Sequence, residues 1–186
     1  MIAYDSAPGP VLRPGPGDVV LSAGSDWLHK GNVLVRAQRR DGFRLVVLCF
    51  DLLPAFHPEF FQPVDIAPFA AYWTAMLPVA ARILCTADCV ARDIQAFAAQ
   101  HGLEPPPTAL VKLGHPPPPY GPLPPLPGPL QAGKYALFVS TIEPRKGHAT
   151  VLQAWSNLIA AGVPQRHDFR LVFVGRTGWM VDDILQ

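Results

Sequence analysis

The sequence predicts an α/β protein in which parallel strands and helices form two groups, one on each side of a proline-rich segment. Two apolar runs without alternation, 45–50 and 135–140, are typical of strands buried on both faces of a parallel sheet. Between residues 116 and 129, nine of fourteen residues are proline, which predicts an extended connector without helix or central strand. A chain of 186 residues can hold one or two modest cores.

Before the connector, the pattern predicts alternating strands and helices after an irregular start of eighteen residues rich in proline and glycine. Arg39, Arg40 and Gly42 mark a helix end, because cations suit the last turn and glycine the position after it. Pro68 fits the first turn of another helix, and Pro78 should kink or end it. The predicted elements are strand 19–21, a helix ending near residue 40, strand 45–50, helix 68–81, strand 83–85, helix 91–100 and strand 109–113.

After the connector, one strand–helix–strand unit is predicted. The strands are 135–140 and 170–174, and the helix between them, 148–161, carries an apolar face and is closed by Gly162 and Pro164. Consecutive strands separated by one helix pair in parallel. Residues 141–147 form a polar turn between the first strand and the helix.

Composition and charge restrict the class of protein. The net charge is +1 with scattered basic residues, which does not indicate a nucleic-acid partner. Residues 1–5 lack the features of a signal peptide, and no apolar run is long enough to span a bilayer. Cys49, Cys85 and Cys89 are expected to be small buried hydrophobes rather than metal or redox groups, because no further ligand completes a set. We therefore expect a cytoplasmic protein, with peripheral contact at the inner face of the membrane left open.

Two strand ends carry glycine beside cations. The first is 140–147, with Arg145, Lys146 and Gly147, and it leads straight into a helix; the second is 175–179, with Gly175 and Arg176. Ligands of parallel sheets bind beyond the carboxyl ends of strands, and helix N-termini favour anions. A phosphate or diphosphate site is the hypothesis, and a solvated loop is the alternative. The spacing matches neither a Walker loop nor the dinucleotide fingerprint.

Four stretches, in order, resemble the family 4 glycosyltransferases, also called group 1. Residues 138–148 (F-V-S-T-I-E-P-R-K-G-H), followed by V-L-Q-A-W at 151–155 and L-V-F-V-G-R at 171–176, resemble the opening of that family's donor domain. Upstream, F-D-L-L-P at 50–54 with H-P-E-F-F at 57–61 is similar to a motif of its first domain. I-L-C-T-A at 83–87 and V-K-L-G at 111–114 agree in order.

The resemblance implies parts of two Rossmann-like parallel-sheet domains facing a cleft, the GT-B arrangement, joined by the Pro-rich linker. Residues 1–115 would be the C-terminal part of the acceptor-side domain, 116–132 the linker, and 133–186 the first strand–helix–strand unit of the nucleotide-sugar domain. The implied activity is transfer of a hexose from a nucleoside-diphosphate sugar to a glycan or lipid-linked acceptor in polysaccharide biosynthesis. Retention of configuration, the absence of a cofactor and the absence of a metal are implied in the same way.

The resemblance also implies roles for single residues. Those matching the family's donor diphosphate site are Ser140, Arg145, Lys146 and Gly147, those matching donor-side supports are Glu143, Gly175 and Arg176, and Asp51 matches an acidic residue near the cleft, here the candidate catalytic group. Departures are Phe50 for Tyr or His, Ser140 for glycine or arginine, and Ala87 for serine. The family's N-terminal start and its later E-x7-E segment have no counterpart, so we expect a fragment with little activity alone. Alternatives are an inactive remnant that binds nucleotide phosphates and a Pro-rich interaction module.

Overall fold

The structure is a computed structural model that describes residues 12–24, 26–28, 31–117, 121 and 125–185. Contacts divide the chain into two compact units, 1–115 and 116–186. The predicted absence of a leader at residues 1–5 and part of the predicted linker fall outside the described residues. Each unit contains its own parallel sheet, which confirms the α/β class and is consistent with Rossmann-like parts.

The first unit is a four-stranded parallel sheet with strand order β1-β2-β3-β4. Val20 pairs with Leu45, Val47 with Ile83, and Leu84 with Ala109. Short 3₁₀ turns occur at Asp26–Leu28 and Pro58–Phe60. The elements in chain order are β1 Val19–Ser22, α1 Gly31–Asp41, β2 Arg44–Cys49, α2 Leu53–Phe56, α3 Pro63–Met76, β3 Ala80–Cys85, α4 Asp88–Gln100 and β4 Thr108–Leu110.

The core of this unit lies on one face of the central strands. Leu45, Val47 and Cys49 of β2 are fully buried, whereas Val46 and Leu48 between them are only half-buried. The sequence predicted burial on both faces, and the structure shows one complete face and one partly covered face. Large side chains that complete the core from the helices and loops are Phe43, Leu52, Trp73, Met76, Leu77, Ile94 and Phe97.

Helix α3 begins five residues earlier than the sequence predicted. Pro63 lies in its first turn, and Pro68 is inside the helix rather than at its start. An interior proline removes one backbone hydrogen bond and costs about 3 kcal/mol in a helix. Burial of Phe69, Tyr72, Trp73 and Met76 along one face offsets that cost, at about 1.5–3 kcal/mol for each large apolar side chain.

The second unit contains the predicted strand–helix–strand arrangement. β5, Tyr135–Val139, and β6, Arg170–Val174, pair in parallel with Phe138 opposite Phe173, and α5, His148–Ala160, connects them. The polar turn after β5 contains a 3₁₀ helix, Pro144–Lys146, and the chain adds short helices α6, Val163–His167, and α7, Asp182–Leu185. The described residues of the connector, 116–117, 121 and 125–132, form only turns and irregular backbone.

The apolar face of α5 is less buried than its sequence indicates. Val151, Leu152 and Trp155 are half-buried, whereas Leu158 and Ile159 are exposed. The sheet beneath this helix has two strands in the described residues, which is too narrow to cover the whole apolar stripe.

The cysteines differ from the expectation in one respect. Cys49 and Cys85 are buried, but Cys89, in the first turn of α4, is exposed, because it lies outside the buried face formed by Val90, Ile94 and Phe97. Burial raises the pKa of the Cys49 thiol far above its usual range and raises the pKa of Cys85. The thiolate is the reactive form, so both buried groups remain unreactive thiols at neutral pH.

We expect one thiol to react with a disulfide reagent such as DTNB in the native protein at pH 7, and three after denaturation. Cys89→Ser should abolish the native reaction, because Cys89 is the exposed cysteine. Fast labelling of two or more native thiols would show that the burial of Cys49 and Cys85 is wrong.

Candidate functional site

The two loops after β5 and β6 remain paired beyond the ends of the strands. The N–H of Ser140 donates to the carbonyl of Val174 at 3.0 Å, and the N–H of Ile142 to that of Arg176 at 3.0 Å. The N–H of Gly178 returns a bond to the carbonyl of Ile142 at 2.9 Å. Both glycine-containing strand ends predicted from the sequence therefore meet at the carboxyl edge of one sheet, where parallel α/β sheets bind their ligands.

Two glycines make this close approach possible. A Cβ atom at Gly175 would overlap the carbonyl oxygen of Ser140, and one at Gly178 would lie 2.7 Å from the carbonyl oxygen of Ile142. Neither position tolerates a side chain without moving backbone. Gly175, predicted as donor-side support, thus acts on the site by letting the two loops touch.

A buried carboxylate anchors the first loop. Glu143 is 1% exposed, and Nη2 of Arg145 lies 2.6 Å from its Oε1. This oxygen accepts no well-aligned hydrogen bond from the described residues, so the contact is an ion pair. Arg145 retains 28% of its side-chain exposure. A buried carboxylate that lost this partner would be left with an uncompensated charge, which typically costs about 3–5 kcal/mol.

Lys146 differs from Arg145 in its surroundings. Its side chain is exposed and forms no ion pair with any residue that the structure describes. The backbone N–H of Lys146 donates to the carbonyl of Glu143, and Gly147 follows in a left-handed conformation with φ 77°. The positive charge of Arg145 is compensated by Glu143, so Lys146 supplies the uncompensated charge of this loop.

The N-terminus of α5 opens directly after this lysine. Gly147 precedes the helix, and no side chain caps it. The first N–H groups of a helix have no intrahelical partner, and the helix dipole adds a partial positive charge there. Lys146 and these N–H groups together form a cationic patch suited to a phosphate group.

His148, the first residue of α5, is a buried polar group that sequence reasoning missed. Its ring lies 4.8 Å from the ring of Phe138 and 5.3 Å from that of Phe173, between centroids, and is 1% exposed. Neither ring nitrogen has a hydrogen-bond partner among the described residues. The sequence signal is a histidine directly after a strand–turn–glycine segment, and that signal does not distinguish a buried helix start from an exposed one.

Three further residues predicted from the sequence, Ser140, Arg176 and Asp51, lie outside the cationic patch formed by Lys146 and the start of α5. Ser140 donates its hydroxyl to the carbonyl of Thr141 at 2.8 Å, so it braces the loop. Arg176 contributes its backbone carbonyl to the loop pairing, and its side chain is exposed. Asp51 belongs to the other unit, where it follows β2 and accepts the N–H of Leu53 at 3.0 Å. These three residues stay candidates.

The described residues contain no group of three or more His, Cys, Asp or Glu side chains that could hold a metal ion. Within the same part of the chain, every helix is too short or too polar to cross a bilayer.

Gly175→Ala should destabilise the second unit, because the new methyl group overlaps the backbone of Ser140. Overpacking typically costs about 1–3 kcal/mol. Gly114→Ala is the matched control, since no atom lies within 4 Å of a Cβ there, and we expect a change within about 0.5 kcal/mol. Urea denaturation of both variants measures the difference, and equal stability would contradict the close approach of the loops.

Glu143→Gln should loosen the loop while preserving its shape. Loss of a buried interaction with a charged partner costs about 1–3 kcal/mol, which corresponds to roughly 5–150-fold faster local opening. Hydrogen exchange of the Lys146 and Gly147 amides reports this opening, because both donate within the 3₁₀ turn. Exposed Glu59→Gln is the control, and unchanged exchange in Glu143→Gln would refute the bracing role.

The fold and site define an α/β protein with a cationic, glycine-supported patch at the carboxyl edge of a parallel sheet. The chain is similar to the serotype-specific mannosyltransferase WbdA of Escherichia coli, with 31% identity over 153 residues in two cases and 30% in a third. The similarity covers 74% of this chain and 18% of each relative. No family model and no solved structure matches. This similarity supports a relationship to glycosyltransferases in general. Membership of family 4 and the GT-B arrangement stay predictions.

Proposed function

We propose that this chain is part of a glycosyltransferase that moves a hexose from a nucleoside-diphosphate sugar to a glycan or lipid-linked acceptor in polysaccharide biosynthesis. The observation that carries the proposal is the exposed, uncompensated Lys146 at the N-terminus of α5, on the carboxyl edge of paired parallel strands. Similarity to a mannosyltransferase supports the same class of reaction.

In the proposed reaction, the bond between the anomeric carbon and the diphosphate oxygen breaks, and the diphosphate leaves with the electron pair. The acceptor oxygen forms the new bond to the anomeric carbon and loses its proton to a base or solvent. Charge on the diphosphate grows as its bond breaks, so positive groups that meet it stabilise the transition state more than the ground state. Lys146, Arg145 and the first N–H groups of α5 would supply that charge, and a metal-independent mechanism is therefore part of the proposal.

The other residues of the loop would position these groups. Glu143 fixes the guanidinium of Arg145, and Gly147 takes the left-handed conformation that starts α5 directly after Lys146. Ser140 braces its own loop, Gly175 leaves room for the two loops to touch, and Arg176 would add a second exposed cation at the same edge. Arg145 thus combines a structural ion pair with a contact to the ligand.

Asp51 is the proposed catalytic carboxylate of the first unit. It is exposed at the carboxyl end of β2, where an acidic side chain can accept a proton from a hydroxyl. Retention of anomeric configuration and a cytoplasmic location with peripheral membrane contact complete the proposal.

Lys146→Ala should weaken binding of nucleoside diphosphates by about 10–150-fold, because a charge-assisted contact is worth about 1.5–3 kcal/mol. Calorimetric titration of a panel of nucleoside diphosphates into the chain measures the change. Lys134→Ala is the matched control: Lys134 directly precedes β5, at the opposite end of the same strand, and its amine bonds to the carbonyl of His167. Equal affinities of wild type and Lys146→Ala would refute the diphosphate site.

Arg145→Ala should weaken the same binding less than Lys146→Ala and lower the stability more, because it also leaves Glu143 without its ion pair.

Turnover distinguishes a transferase from a protein that only binds phosphates. In a longer protein carrying this sequence, Lys146→Ala should reduce kcat/KM more than ground-state affinity for the donor. Binding without sugar transfer would favour the inactive remnant.

A further inference from the structure

A cavity of about 220 Å³ lies within the first unit, at the carboxyl ends of β1 and β2. Every residue that lines it belongs to the first unit, whereas Lys146 and the cationic patch belong to the second. Six aromatic side chains form most of its wall: Trp27, Phe50, Phe61, Phe69, Tyr72 and Trp73. The acidic side chain of Asp51 is part of the same lining.

The inner aromatic wall is held by contacts between its own rings. Trp27 meets Phe69 edge to face at 5.4 Å, Phe69 meets Trp73 at 6.4 Å, and Tyr72 meets Trp73 at 5.2 Å, all measured between ring centroids. Such pairs are worth about 0.5–1.5 kcal/mol beyond their burial. The wall is therefore formed before a ligand arrives, which reduces the ordering cost of binding.

Phe50 differs from the inner rings because it is 49% exposed while lining the cavity. Its backbone is fixed: the hydroxyl of Thr86 donates to the carbonyl of Phe50 at 2.9 Å, which joins the ends of β2 and β3. An exposed ring on a fixed strand end offers an apolar platform for a flat, partly apolar ligand.

Asp51 stands next to this platform with capacity to accept further hydrogen bonds. Its Oδ1 accepts the N–H of Leu53 at 3.0 Å, and a carboxylate offers about four acceptor sites in total. The side chain forms no ion pair with any described residue. Carboxylates at strand ends of parallel sheets bind the hydroxyls of sugar rings in dinucleotide-binding folds.

We propose that this cavity binds one pyranoside ring, with an apolar face on Phe50 and hydroxyls donating to Asp51. The volume is below the ~300–1,000 Å³ usual for drug-sized ligands, so it suits a single ring and not a nucleoside or an oligosaccharide. A quaternary ammonium ion needs several open ring faces. Here Phe69, Tyr72 and Trp73 are buried and cover one another, so the inner wall presents few open faces.

Under the proposed function, this ring is the acceptor sugar, and Asp51 binds its hydroxyl. Binding of the sugar ring to this cavity does not depend on the cationic patch around Lys146. A methyl glycoside contains no phosphate, so its binding reports on the cavity alone. Titration of a nucleoside diphosphate into the same protein reports on Lys146, and the two proposals fail independently.

The test is saturation-transfer NMR and titration of the 186-residue chain with methyl mannoside, glucoside and galactoside. At least one glycoside should bind, with transfer strongest to protons of one ring face. Phe50→Ala and Asp51→Asn should each weaken it by about tenfold or more, which is about 1.4 kcal/mol. Phe50→Tyr keeps the platform and should stay within about threefold of wild type.

Matched controls lie at the same edge of the sheet but outside the cavity. Leu110→Ala removes an exposed apolar side chain, and Asp88→Asn removes an exposed carboxylate; neither should change binding. Asparagine at 51 can still accept the N–H of Leu53, so that variant should fold, and thermal unfolding checks each protein. The proposal is overturned by absence of glycoside binding, by equal binding in Phe50→Ala and Asp51→Asn, or by tighter binding of tetramethylammonium or uridine.

Discussion

Parallel pairing of strands is the constraint on which both candidate sites depend. In a parallel sheet all strands end at the same edge, so residues far apart in the chain become neighbours there. The pairing of β5 with β6 continues through Ser140, Ile142 and Gly178, which brings the basic loop beside the second strand end. In the first unit, the same constraint places Gly24, after β1, and Asp51, after β2, around one cavity.

Charge compensation gives the two cations of the basic loop different roles. Two adjacent cations look equivalent in the sequence, but only Arg145 faces the buried carboxylate of Glu143. A buried carboxylate without a partner is costly, so the ion pair supports the turn that starts α5. Lys146 remains exposed with its charge uncompensated, and it is therefore the residue on which binding of a diphosphate should depend most.

The candidate site of the first unit is built by aromatic packing, whereas that of the second unit is built by charged groups. Edge-to-face contacts among Trp27, Phe69, Tyr72 and Trp73 form a rigid wall, and they offset the unfavourable Pro68 inside α3. Among the aromatic residues that line the cavity, Phe50 is the exposed one. A preformed apolar surface beside a carboxylate suits a sugar ring, and a cationic helix start suits a diphosphate. Together these two chemistries match the two substrates of the proposed reaction.

The sequence by itself determined the α/β class, the strand–helix–strand unit and the position of the basic loop, because hydrophobic periodicity and glycine placement are local signals. Tertiary structure decided which residues meet. Pairing of Glu143 with Arg145, burial of His148 and exposure of Cys89 depend on which side of an element faces a neighbouring one, and that depends on packing between distant segments. The start of α3 at Pro63 was missed for the same reason, since burial of its aromatic face outweighs the local cost of Pro68.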